Sequence, residues 1–334
     1  MGCTGNSGAE VRNSSDNYIL TEFDVNEENA EEEQNRYNLE YTDTKENGEE
    51  IKSAKRECEI RINEKIYSNH MYKFPKEGIY TVKFIFKKPI DDATKLFWQC
   101  ECLKKVDLTH FQGNNITKMA QMFNFCGKLE SADFSNLDLQ NVTDMSDMLS
   151  ACEKLKTVNF SGVKTKKLEN MNSLFGNCSS LESADLSSLN TENVKNMEDL
   201  FTNCSALKSV NLTKNFNTRN VTKMGSMFYS CSALENINLS NFDTAQVTDM
   251  NNMFGLCSSL KELDLSSFNT KNVEKMDYMF TSCDGLTKIN LSSFDVSKAD
   301  INSMFYETPN LKKEGVITKE KRIIDEFTRT NKDN

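Results

Sequence analysis

The sequence predicts an α/β solenoid of about eight 26-residue units, each a strand, a loop and a short helix, behind a small N-terminal β cap. Three observations carry this. Cysteines recur at positions 100, 126, 152, 178, 204, 231, 257 and 283, spaced by 26 residues except for one interval of 27. Each is followed three residues later by leucine, from Leu103 to Leu286, and preceded by an apolar pair such as Met122-Phe123, Leu174-Phe175 or Met253-Phe254. Between one leucine and the next apolar pair, an alternating segment gives way to a run with apolar residues three and four apart. A fixed period of this length marks a stack of units, none of which buries its own apolar face alone.

Residues 1–57 hold 15 acidic and 6 basic residues, a net −9 against −10 for the whole chain. Such a composition buries too little apolar surface to offset chain entropy, so the sequence predicts a disordered acidic tail. Its start, Met1-Gly2-Cys3, approximates an N-myristoylation signal, although Asn6 stands where Ser or Thr is expected. One acyl chain anchors only marginally, and the adjacent Cys3 offers a second attachment point by S-palmitoylation. Gly2 and Cys3 are therefore the expected lipidation sites, with the acidic tail as a spacer.

Residues 58–95 do not repeat. Ile60-Arg61-Ile62, Ile66-Tyr67 and Tyr80–Phe86 alternate like strands around Pro75-Lys76-Glu77-Gly78, which predicts a β cap. A solenoid end left bare would expose core and an unpaired strand edge.

Residues 96–305 are the repeats. Val106-Asp107-Leu108, Ala132-Asp133-Phe134 and Ile237-Asn238-Leu239 show the period of two of a strand with one buried face. Val247, Met250, Met253 and Phe254 have the spacing of one face of a short helix. Stacked at the inter-strand distance, eight turns make a rod on the order of 40 Å long. The residue after each repeat leucine alternates in sign: Lys104, Glu130, Lys156, Glu182, Lys208, Glu235, Lys261, then Thr287. In a stack every charge then has opposite neighbours. Beyond residue 305, the segment 306–334 carries Ile317, Ile323, Ile324 and Phe327 among charges, which suggests a capping amphipathic element.

The unit from Val247 to Thr270 closely resembles the BspA-like leucine-rich repeat, the 26-residue repeat of bacterial surface proteins and mycoplasma lipoproteins that is also expanded in several protists. The resemblance covers about 96–305. It implies a leucine-rich-repeat-like solenoid and a role in adhesion or protein–protein contact, with no catalytic activity. Unlike the bacterial members, this chain shows no secretory signal.

The remaining composition narrows the function. A net charge of −10 argues against binding nucleic acid through phosphate neutralisation. Two histidines, His70 and His110, leave little for triads or His-rich metal sites, and the cysteines at 26-residue intervals lack zinc-ligand spacing. Eight cysteines in one column read as a buried thiol ladder rather than a disulfide framework. Sequons at Asn141, Asn159, Asn211, Asn220 and Asn238 would crowd glycans on neighbouring turns, which favours the cytosol. No catalytic residue, cofactor or metal site is expected. The sequence therefore points to a monomeric, non-enzymatic protein–protein interaction scaffold in the cytoplasm, held at the cytosolic face of a membrane by acylation. A secreted or cell-surface adhesin is the alternative. Candidate partner-binding residues are the outward strand positions Lys105, Asp107, Asp133, Asp185, Glu262, Asp264 and Lys288, in columns that also have a purely structural reading. The partner's identity does not follow from the residues.

Overall fold

The computed structural model describes residues 17–26, 42–44, 50–52, 58–67, 74–135, 137–212 and 216–331. Its strands are β1 Tyr18–Val25, β2 Thr42–Thr44, β3 Glu50–Lys52, β4 Cys58–Ile62, β5 Lys65–Tyr67, β6 Gly78–Phe86, β7 Leu103–Asp107, β8 Ser131–Asp133 and β9 Thr157–Asn159. The series continues with β10 Ser183–Asp185, β11 Ser209–Asn211, β12 Glu262–Asp264, β13 Lys288–Asn290 and β14 Val316–Ile317, with a 3-10 turn at Lys313–Gly315 before β14 and an α-helix, α1, at Lys321–Thr330. One seven-stranded sheet runs β5-β4-β6-β1-β7-β8-β9, antiparallel through the cap and parallel from β7 onward.

The N-terminal expectation changes here. Residues 18–25 lie inside the stretch expected to be a disordered tail, yet they form β1 between β6 and β7 and join the cap to the first repeat strand. Ile19, Thr21, Phe23 and Val25 alternate inward and are buried. Glu22 and Asp24 face outward and pair with Lys105 and Lys104 at 3.1 Å each. Averaging acidity over 57 residues hides this eight-residue alternation. Gly2 and Cys3 lie outside the described residues.

The expected short helix is also absent. The solenoid is built almost wholly of strands and turns, and α1 is the only α-helix among the described residues. Where helices were expected, each turn forms an arch with two non-glycine residues at positive φ, four positions apart, as at Gln121 and Phe125 or Asn252 and Leu256. The pattern repeats through nine turns, from Lys95 and Gln99 to Ser303 and Glu307. A right-handed helix does not survive a left-handed residue every fourth position. The backbone bonds go elsewhere. Met119, Gln121, Phe123 and Phe125 donate to the carbonyls of Asp144, Ser146, Met148 and Ser150 on the next turn. Met122, Asn124 and Cys126 donate three residues back within their own turn. Those successive tight turns produce the apolar spacing of three that imitates a helix face.

The arches remain in register along the whole stack, with parallel bridges from Asp92–Lys118 to Lys275–Asp300. Inside, the phenylalanines form a ring-to-ring chain. Phe97 stacks on Phe123 at 5.4 Å, and Phe175, Phe201, Phe228, Phe254, Phe280 and Phe305 continue the column. In the third turn Leu149 takes the phenylalanine position. There the chain detours through Phe134 and Phe160, which stack at 5.1 Å and meet Phe123 and Phe175 edge-on. Each aromatic contact adds about 0.5–1.5 kcal/mol beyond burial.

The cysteine column is a buried thiol ladder. Cys126, Cys152, Cys178, Cys204, Cys231, Cys257 and Cys283 place Sγ at 3.1–3.2 Å from the carbonyl oxygen of an arch residue one turn back, Phe97 for the first and Phe254 for the last. Thr308 ends the column, donating to the Phe305 carbonyl at 2.8 Å. Helix α1 closes this end of the stack. Ile323 and Phe327 are buried, Phe327 lies edge-on to Phe305, and Glu326 accepts the Ser303 N–H at 2.8 Å. Ile317 belongs instead to β14 and is exposed.

Candidate interaction surface

In the repeat strands the middle residue points inward, as Ala132, Ala184, Leu263 and Ile289 do, and its neighbours face solvent. The outward Asp or Asn column closes the turn that follows each strand. The carboxylates of Asp107, Asp133, Asp185 and Asp264 each accept the backbone N–H two residues on, from Thr109, Ser135, Ser187 and Ser266, at 2.9 Å. Asn159, Asn238 and Asn290 do the same for Ser161, Ser240 and Ser292. This is the local side-chain-to-backbone turn that Asp and Asn alone make well, and it explains why the column admits both. Hydrogen bonds from Ser187 and Ser266 hold the carboxyls of Asp185 and Asp264 below the usual range. At Asp133 burial pushes upward, but the bonds from Ser135 and Asn159 prevail and its pKa is lowered.

The charged column beside it pairs between turns, where Lys208 meets Glu182 at 2.7 Å and Lys261 meets Glu235 at 3.5 Å. One residue further on, Lys288 meets Glu262 at 3.8 Å. Lys104 departs from the expected inter-turn pattern by bonding Asp24 of β1. The sequon amides are engaged between turns as well. Asn141 and Asn220 donate to the Asn114 and Glu192 carbonyls, and Asn211 donates to Asp185.

Three of the seven candidate contact residues come together. Glu262, Asp264 and Lys288 line a groove of about 470 Å³ across β12, β13 and β14, with Ile237, Asn290 and Ile317. It opens where strand pairing lapses. β11 and β12 are not joined, and Ile237-Asn238-Leu239 between them forms no strand. The single 27-residue interval, Cys204 to Cys231, lies just before this break. Lys105 and Asp107 stand at the far end of the face on β7, and Asp133 and Asp185 between, outside the groove.

Two features go beyond the sequence expectations. Ile317, expected in the cap, lies on the strand face in β14. The buried Thr165, Thr191, Thr218, Thr244 and Thr270 form a second ladder. Each hydroxyl donates to the carbonyl of one residue on the next turn and accepts that residue's N–H, as Thr218 does with Asp243 at 2.9 and 2.8 Å. Their spacing of 26 or 27, with Asn or Asp before each threonine from Thr191 onward, was the available signal. Among the described residues no group of three or more His, Cys, Asp or Glu side chains could hold a metal ion, and no helix is long and apolar enough to cross a membrane.

Stacked arches, two internal hydrogen-bond ladders and an open strand face define a repeat solenoid. The sequence profile of DUF285, described as a Mycoplasma protein of unknown function, matches residues 91–214 and 208–318, and the chain belongs to that family. A comparison with curated proteins finds no match to this chain.

Proposed function

We propose that this chain is a non-enzymatic protein–protein interaction scaffold of the BspA-like type, whose strand face receives a partner at its C-terminal end. The observation that supports this reading is the groove at β12–β14. It sets the exposed apolar Ile317 beside Glu262, Asp264, Lys288 and Asn290, a mixed surface of the kind that makes specific protein contacts. The proposal includes a cytosolic location at a membrane, held through acyl groups on Gly2 and Cys3. The adhesin reading keeps the same groove and differs in where the partner sits.

The test has two arms. Partners recovered with the wild-type chain are compared with those of Glu262→Lys combined with Ile317→Ser, two outward changes that leave the core intact. Loss of specific partners is expected; an unchanged set removes the groove from the reading. Alkyne-myristate labelling with membrane fractionation of wild type, Gly2→Ala and Cys3→Ser examines the anchor separately. An unlabelled, fully soluble wild type removes it.

A further inference from the structure

A repeat is its own control, because equivalent positions in other turns show what the fold alone requires. The left-handed position just before the cysteine carries Ala151, Asn177, Asn203, Ser230 and Ser282, but Phe125 in the second arch and Leu256 in the seventh, and only Leu256 has large neighbours of its kind on the next two arches. The other left-handed position carries Ser173, Ser226, Asn252 and Ser303, but Tyr278 in the eighth. The position after the phenylalanine carries Asn124, Ser150, Gly176, Thr202 and Thr281, but Trp98 in the first arch, Tyr229 in the sixth and Tyr306 in the ninth. Leu256, Tyr278 and Tyr306 are 37%, 44% and 48% exposed. They lie on three consecutive arches, and Tyr229 of the sixth arch packs over Gly255 beside them, 3.0 Å from where a Cβ would stand. The stack accepts Ser, Thr or Asn at every one of these places, so packing does not account for the large apolar groups. Bulky residues at positive φ carry a backbone cost that small polar ones at least offset by local hydrogen bonding.

The stripe is interleaved with carboxylates. Asp277, Asp300 and Glu307 flank it, and Asp249 is paired with Lys275 at 2.8 Å. Burial raises the pKa of Asp277, and the neighbouring Asp300 and Asp249 raise it further. The strand face of the same turns, by contrast, pairs its own charges across Glu262–Lys288 and Glu235–Lys261.

We infer that the arch face around Leu256, Tyr278 and Tyr306 is a second docking surface, and that it takes a cationic, arginine- or lysine-bearing protein segment. The chemistry selects that occupant. A guanidinium or ammonium group gains from an exposed ring face and from an adjacent carboxylate together. A neutral apolar partner would strip water from these carboxylates at a cost. An anionic lipid surface would be repelled. Two turn steps place the outer members of the stripe about 10 Å apart, the reach of three extended residues. This surface is separate from the groove at β12–β14, and either assignment stands or falls without the other.

The experiment uses the full chain and a fluorescent heptapeptide of alternating arginine and glycine, with the matched glutamate–glycine peptide as its counterpart. Saturable, salt-sensitive binding of the arginine peptide alone is expected. Leu256→Ser/Tyr278→Ser/Tyr306→Thr, each a residue type its column already holds, should lower affinity at least tenfold with an unchanged urea midpoint. Glu262→Lys on the strand face should leave affinity within twofold. The proposal is overturned by absent or non-saturable binding, by equal binding of the glutamate peptide, by equal affinity of the triple variant, or by a tenfold loss in Glu262→Lys.

Discussion

Each turn presents two outer surfaces, an arch and a strand, and they differ in what keeps them in register. Along the arches, parallel bridges run from Asp92 to Asp300 without a break, and every second backbone N–H donates to the next turn. Buried thiols and phenylalanines line up directly beneath. Along the strands, pairing lapses between β9 and β10 and again between β11 and β12, although the turns remain stacked. The outward strand residues close local turns or meet exposed ionic partners. The arch therefore sets the stack. The strand face is under looser constraint and is freer to vary in chemistry, as a contact surface must be.

The sharpest way to break this comparison is alkali. Burial pushes every thiol of the cysteine column upward, Cys204 and Cys283 to about 12. A group whose folded pKa is raised gives stability that is complete below its unfolded value and lost as pH rises toward the folded one. Each such thiol removes about 1.4 kcal/mol per pH unit once the unfolded chain ionises, near pH 8.5–9. Eight thiols acting together exceed the usual stability of a domain within about one to two pH units. The urea midpoint should hold to about pH 8 and collapse between pH 9 and 11. A midpoint flat to pH 11 would mean that the ladder is not buried as described. The strand face works at the other end of the scale. Its depressed Asp185 and Asp264 carboxyls give stability that is present at neutral pH and lost as pH falls through their folded values.

Next in size is the threonine ladder. Thr218→Val preserves shape but strands both the N–H and the carbonyl of Asp243 against an apolar group, a loss of about 2–3 kcal/mol. Thr218→Ser should cost well under half of that. Equal losses in the two variants, read by chemical denaturation, would assign the column to methyl packing rather than to its hydroxyls.

What the sequence made legible follows from these energetics. Cysteine, phenylalanine and leucine recur because one buried site per turn tolerates little else, so the period and the thiol ladder were plain. The arch was misread as a helix because successive three-residue turns and one helix face share the same apolar spacing. Nothing in Gln121 or Phe125 announces a positive φ, and glycine, the usual signal, is not used at either arch position. β1 was hidden by averaging its alternation with acidic neighbours, and its partner strands lie more than 50 residues away. Of the candidate contact residues, the outward direction was legible from the period of two. Their grouping was not, because the groove depends on where strand pairing lapses.

The smallest effect sharpens the comparison most directly, because the same chemistry can be placed on both faces. Lys208 and Glu182 meet at 2.7 Å on the strand face with about two-thirds of each side chain exposed. Lys275 and Asp249 meet at 2.8 Å on the arch, where the Asp249 side chain is only 11% exposed and also accepts the Asn251 N–H. Water screens the first pair on nearly every side, so a double-mutant cycle on Glu182→Ala and Lys208→Ala should give a coupling below about 0.5 kcal/mol. The second pair is half shielded and one partner is held in place by the backbone, so Asp249→Asn with Lys275→Ala should couple by about 1 kcal/mol or more. Asparagine retains the Asn251 bond there, as Asn170 and Asn196 do for their own turns, which isolates the charge. Should the strand pair couple as strongly as the arch pair, the strand columns would be structural supports in their own right, and the freedom assigned to that face would be lost.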